Sequence, residues 1–130
     1  MTASPLKSIE TALRKQALTY PEVTEDFPWG HRALKVKGKA FLFLSLEKGE
    51  LSFSMKLPAS GAAALTLPFT EPTAYGLGKH GWVTATLPAG KRVPPLDLFR
   101  GWVEESYRSI APKTVLRKLD GASGGSTKAR

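Results

Sequence analysis

Residues 33–57 read ALKVKGKAFLFLSLEKGELSFSMKL, and this stretch decides the fold. Its apolar residues recur with a period of two or in short runs, the pattern of strands rather than helix. Three strands are expected, over 33–36, 40–46 and 51–57. They are separated by Lys37-Gly38-Lys39 and Glu47-Lys48-Gly49-Glu50, whose glycines suit tight hairpins. In the third strand Leu51, Phe53, Met55 and Leu57 fall on one side, and Ser52, Ser54 and Lys56 on the other. That alternation describes a sheet with one buried face, which helices from elsewhere in the chain must cover.

Working outward, Pro58 closes the third strand and residues 59–65 suit a short helix, although Gly61 weakens it. Two further strands are expected, a short irregular one over 73–77 and an alternating one over 82–87, with Gly76, Gly78 and Gly81 supplying the bends. The result is an antiparallel meander of about five strands. A long helix begins near Pro94-Pro95, buries Leu96, Phe99, Val103, Tyr107 and Ile110, and stops before Pro112. Trp102 borders that stripe and is assigned to packing, and residues 113–119 add a turn or two. At the other end, Ser4 caps and Pro5 opens a helix to Leu18, with Leu6, Ile9, Leu13 and Ala17 on its buried face. Tyr20-Pro21 ends it, and residues 22–30 read as a loop anchored by Phe27 and Trp29. The architecture is therefore α+β, an antiparallel sheet covered on one face by an N-terminal and a C-terminal helix. Residues 1–119 form one domain and 120–130, with nothing apolar larger than alanine, a flexible basic tail.

Across 130 residues, 19 Lys and Arg outweigh 11 Asp and Glu, a net charge of +8. Such a surplus favours acidic partners, nucleic acid foremost, and also serves solubility. With no cysteine, disulfides, thiolate zinc sites and thiol nucleophiles are excluded, and a reducing cytoplasm is the expected location. The first residues lack a basic flank leading into an apolar run, so no secretory leader is expected, and no stretch is long and apolar enough for a membrane span.

Tyr20-Pro21, then Glu25-Asp26-Phe27-Pro28-Trp29-Gly30, then Lys35-Val36 with Gly38-Lys39, then Lys79-His80-Gly81-Trp82-Val83, and finally Glu105-Ser106-Tyr107 occur in an order that resembles the MmcQ/YjbR family. The resemblance runs from about Leu6 to Leu119. It implies a bacterial domain of CyaY-like (frataxin-like) fold, and members are labelled DNA-binding, with the sheet and its hairpins forming a double-wing surface.

Two basic groups are candidates for such a surface. Arg32, Lys35, Lys37 and Lys39 follow one another without an intervening acid on the first strand and hairpin. Lys79 and His80 precede the Trp82 strand, and Lys91 and Arg92 follow it. Hairpin cations can reach phosphates, setting register along a nucleic acid and releasing counterions. Trp29 and Trp82 are available for stacking or for lining a groove. The same residues also admit plainer uses: lysines that keep an edge strand from aggregating, glycines that a turn requires, tryptophans that fill the core.

Catalysis is not expected. His31 and His80 fall in no metal-binding spacing, and the one loop that joins His31 to Glu25 and Asp26 is more simply solvated. Gly76-Leu77-Gly78-Lys79-His80-Gly81 has the outline of a dinucleotide loop but lies between two strands, without the following helix such a loop needs. Ser106 sits inside a helix, where it is packed or bonded to backbone, and no G-x-S-x-G elbow exists. The expectation is a small non-enzymatic domain, without cofactor or metal, that binds DNA. The alternative is a protein or peptide module using the sheet edge or an aromatic groove.

Overall fold

Lys37 and Gly38 both adopt positive φ, 53° and 82°, the requirement of a two-residue type I′ hairpin turn. The turn joins β2 (Arg32–Val36) to β3 (Lys39–Glu47), and a second tight turn with Gly49 at φ 77° joins β3 to β4 (Glu50–Lys56). The computed structural model describes residues 5–27, 31–47, 49–74, 76–88 and 94–122. Within them the chain runs α1 (Pro5–Leu18), β1 (Val23–Asp26), β2, β3, β4, α2 (Gly61–Ala64), β5 (Thr70–Pro72), β6 (Trp82–Pro88), α3 (Leu96–Ile110) and α4 (Lys113–Ala122). The described strands form one antiparallel sheet in the order β1-β2-β3-β4-β6-β5.

The helices lie on one face, as the alternation in β4 requires. Leu6, Ile9, Leu13 and Ala17 of α1 and Phe99, Trp102, Val103 and Tyr107 of α3 join Leu34, Leu42, Leu44, Leu51, Phe53, Met55, Val83 and Ala85 of the sheet in one core. Phe99 sits at its centre, edge-on to Phe53 at 4.9 Å and to Phe69 at 6.1 Å, an arrangement in which each ring's positive edge meets another's negative face.

Four expectations are corrected. Residues 23–26 are an edge strand rather than loop, paired with β2 from Val23 opposite Val36 to Asp26 opposite Ala33. The strand expected over 73–77 is instead β5 at Thr70–Pro72, followed by a 3-10 turn at Leu77–His80 bracketed by Gly76 and Gly81, at φ 81° and 88°. Nor is the sheet a simple meander: the seven-residue β6 pairs with β4, and β5, which ends in a proline that cannot donate to a ladder, takes the outer edge. Finally α4 runs through Asp120 to Ala122, because Asp120 accepts a hydrogen bond from Arg108 on α3 (3.0 Å), so helix replaces the first residues of the expected tail.

The register also shifts between Leu34 and Lys35, so that Leu34 faces Leu42 while Lys35 faces Ala40. Phe41 is the extra residue of this β-bulge, and it is fully buried edge-on against Tyr107 at 5.2 Å.

Candidate nucleic-acid interface

The pairing register decides which cations share an end of the sheet. Lys39 stands opposite Val36 at the start of β3, and Lys56 at the end of β4 stands opposite Trp82 at the start of β6. The β2–β3 turn, the end of β4 and the turn before β6 therefore share one end of the sheet. Lys37, Lys39, Lys56, Lys79 and His80 all lie at that end, although as many as 43 positions separate them in sequence, with Lys39 on the helix-covered side opposite buried Val36 and Lys56 on the uncovered side opposite Trp82. Strands spaced about 4.8 Å apart place the starts of β3 and β6 roughly 10 Å from each other, the span of about three nucleotides of one strand.

Several of these cations are spoken for within the protein. Lys35 pairs with Asp26 at 2.8 Å across the β1–β2 ladder, and Lys37 lies 3.6 Å from Glu22. Lys39, Lys56 and Lys79 have no carboxylate partner among the described residues. In the sequence pattern Lys56 is only an outward residue of its strand. Its strand-terminal place, beside turns that carry other lysines, is the signal that marks it once the register is known.

Arg32 does not join the group. It faces Leu44 at the far end of β2, where Nη1 donates to Glu25 at 2.9 Å, Nε lies 3.6 Å from Glu10, and the guanidinium sits 4.6 Å above the Phe27 ring. Arg14 reaches the same Glu25 from α1 with two hydrogen bonds, of 2.7 and 2.8 Å. The hydrogen bonds from Arg14 outweigh partial burial, and with the one from Arg32 they hold the Glu25 carboxyl below its ordinary range. These arginines tie α1 to the sheet edge, and the Glu25 side chain, expected from sequence to be simply solvated, is consumed by them.

Trp82 does not offer a stacking platform. Only 8% of it is exposed, and its ring packs 5.7 Å from Phe43. Around that pair the uncovered face of the sheet is rich in hydroxyls: Ser54 and Thr84 share a hydrogen bond of 2.7 Å, and Thr73 and Thr84 one of 2.9 Å. Trp29, Lys91 and Arg92 lie outside the described residues.

The glycines before β6 serve the turn. Gly81 accepts the Leu57 N–H at 2.8 Å, and a Cβ on Gly78 would stand 2.7 Å from that of Pro72. Glu105, Ser106 and Tyr107 then brace this part of the fold, each fastening a different backbone segment to α3. The Glu105 carboxylate accepts the N–H groups of Ala59 (2.7 Å) and Ser60 (2.9 Å). Burial pushes its pKa up, but the hydrogen bonds from Ser60 and Ala59 together outweigh that and leave it lowered. Ser106, fully buried, donates to the Phe41 carbonyl at 2.5 Å and accepts the Lys56 N–H at 2.9 Å. Tyr107 donates to the Pro21 carbonyl at 2.8 Å. The bulge of β3 and the last residue of β4 are thus fixed from beneath, and with them the backbone that carries Lys56.

A family model described as YjbR matches residues 18–109, more than two-thirds of the chain, from the last residue of α1 through almost all of α3. The chain belongs to the YjbR family. The YjbR match takes in the whole sheet, both basic turns and the Glu105-Ser106-Tyr107 brace. A crystal structure of a protein from Pseudomonas syringae is similar to this YjbR chain with a TM-score of 0.54 and 16% identity, covering 83% of this chain and 99% of the other. At that identity the likeness concerns the fold. No curated protein matches the chain. Among the described residues, no helix is long and apolar enough to cross a membrane, and no three His, Cys, Asp or Glu side chains come together as metal ligands do.

Proposed function

We propose that this YjbR-family chain is a non-catalytic, cytoplasmic domain that binds nucleic acid, DNA in the first instance, through the basic end of its sheet. Lys39, Lys56 and Lys79 are its phosphate contacts, Lys37 and His80 flank them, and Lys35 stands behind on the uncovered face. The observation that carries this reading is that three lysines from three separate elements lie at one sheet end without carboxylate partners among the described residues. Unneutralised charge at a rigid edge is what phosphate docking uses. Each contact releases condensed counterions, which drives binding with little regard to base sequence. The non-catalytic part of the proposal draws support from occupied groups: Ser106 is consumed by backbone, Glu25 by two arginines and Glu105 by two backbone N–H groups.

The test is fluorescence anisotropy of labelled duplex and single-stranded DNA, titrated between about 50 and 200 mM salt. Three or four phosphate contacts give a slope of log K against log salt of about −3 on duplex. Saturable binding with that slope supports the reading. Absence of binding at the lowest salt refutes it and turns the search to a protein partner, whose binding in an apolar groove would be nearly insensitive to salt.

A further inference from the structure

Glu22 is an acid set among the bases of the proposed interface. It precedes β1, opposite the β2–β3 turn, and its carboxylate lies 3.6 Å from Lys37 while accepting a hydrogen bond from Lys118 of α4. Its backbone is left-handed, φ 63°, a conformation that glycine adopts freely and glutamate does not. The neighbouring Pro21 carbonyl is held by the Tyr107 hydroxyl, so the turn that aims Glu22 is anchored to α3. A strained residue kept in place by its surroundings is a mark of sites that hold or release a ligand. One oxyanion between two ammonium groups on separate elements is also the arrangement a phosphate would take.

We infer that Lys37 and Lys118 form a phosphate subsite that the Glu22 carboxylate fills when no nucleic acid is bound. The inference rests on the docking reading above and extends it in two ways. It adds α4 to the interface, through a residue that neither the hairpin nor the β6 turn would suggest. It also makes a bound phosphate displace an internal acid, so that part of the available attraction is spent on the exchange and affinity is held down. The hydrogen bond from Lys118 and the charges of Lys118 and Lys37 lower the Glu22 pKa, as an anion bound at this place requires.

The measurement is the same anisotropy titration on Glu22→Gln beside the unaltered protein. Removing the carboxylate frees two lysines, so affinity for duplex DNA at about 50 mM salt rises by about tenfold and the salt slope steepens by about one to two units. Glu50→Gln is the control. It makes the same change in net charge at the opposite end of the sheet, where Glu50 faces Pro88, and leaves affinity nearly unchanged. Adding Lys37→Gln and Lys118→Gln to Glu22→Gln abolishes the gain. Should Glu22→Gln perturb folding, Glu22→Gly removes the same carboxylate and takes the left-handed backbone without strain.

Tighter and more steeply salt-dependent binding by Glu22→Gln than by the unaltered protein supports the subsite. Equal affinity and slope for the two proteins overturns it while leaving the docking reading intact, as does a gain of the same size from Glu50→Gln. If neither protein binds at the lowest salt, the docking reading falls and this inference with it.

Discussion

Replacing Ser106 with alanine tests whether the Glu105-Ser106-Tyr107 segment is structural in the way its contacts describe. The hydroxyl is fully buried and satisfies two backbone groups, the Phe41 carbonyl and the Lys56 N–H. Alanine removes one oxygen and leaves both without that partner beneath the sheet. A buried polar group left unsatisfied costs about 1–3 kcal/mol, and two would cost about 2–6. Alanine no longer has a hydroxyl to desolvate, which offsets part of this and brings the expected loss to about 2–4 kcal/mol. In urea, with a slope of about 1.5 kcal/mol per molar, the unfolding midpoint falls by roughly 1.3–2.7 M. Ser109→Ala is the comparison, since that hydroxyl donates only to the Ser106 carbonyl from a more exposed position, and its effect stays within about 0.5 kcal/mol. Hydrogen exchange at the Lys56 amide should accelerate in the Ser106 variant beyond the global change. A loss below about 0.5 kcal/mol with unchanged exchange at Lys56 would refute the reasoning, because it would mean that those two groups find other partners at no cost.

Other substitutions probe different parts of the account. Gly78→Ala places a Cβ 2.7 Å from that of Pro72 and 3.2 Å from the Thr73 carbonyl, so it should destabilise by about 1–3 kcal/mol, read as a lowered thermal midpoint. Phe53→Ala removes the ring edge-on to Phe99 in the centre of the core and should cost about 3–5 kcal/mol in chemical denaturation. The Glu25 carboxyl is held low by Arg14 and Arg32, so its contribution to stability is present above the unfolded-state pKa and is lost as pH falls through the lower folded value. Glu25→Gln should therefore flatten the loss of stability on acidification below about pH 4.5, and an acid limb as steep as that of the unaltered protein would contradict this. Arg32→Ala should lower stability yet leave the salt slope of DNA binding unchanged, because that guanidinium is engaged by Glu25 and Glu10 at the far end of β2.

The parts of this fold legible in the sequence are those where periodicity and turn chemistry agree. Alternation in β4 fixes its buried face, Lys37-Gly38 marks the β2–β3 hairpin, and the apolar stripes of α1 and α3 name most of the core. β1 was hidden because its inward position beside Leu34 is Glu25, a charge balanced by arginines from other elements, so no apolar alternation marks it. The bulge at Phe41 was concealed by the unbroken apolar run of β3, which reads equally well in either register. Of the candidate site, the residue types were legible and their grouping was not. That Lys39 shares a sheet end with Lys56 and Lys79 depends on β6 inserting beside β4, and Arg32 leaves the group because acids distant in sequence claim it. Glu22 became visible only with its backbone conformation.

The most direct test of the central claim is the salt dependence of duplex DNA binding by Lys39→Gln/Lys56→Gln/Lys79→Gln set against the unaltered protein. Three lost phosphate contacts should make the slope of log K against log salt shallower by about 2.7 and weaken binding alike on unrelated sequences. An unchanged slope and affinity in a variant that keeps its fold would contradict docking through the basic end of the sheet.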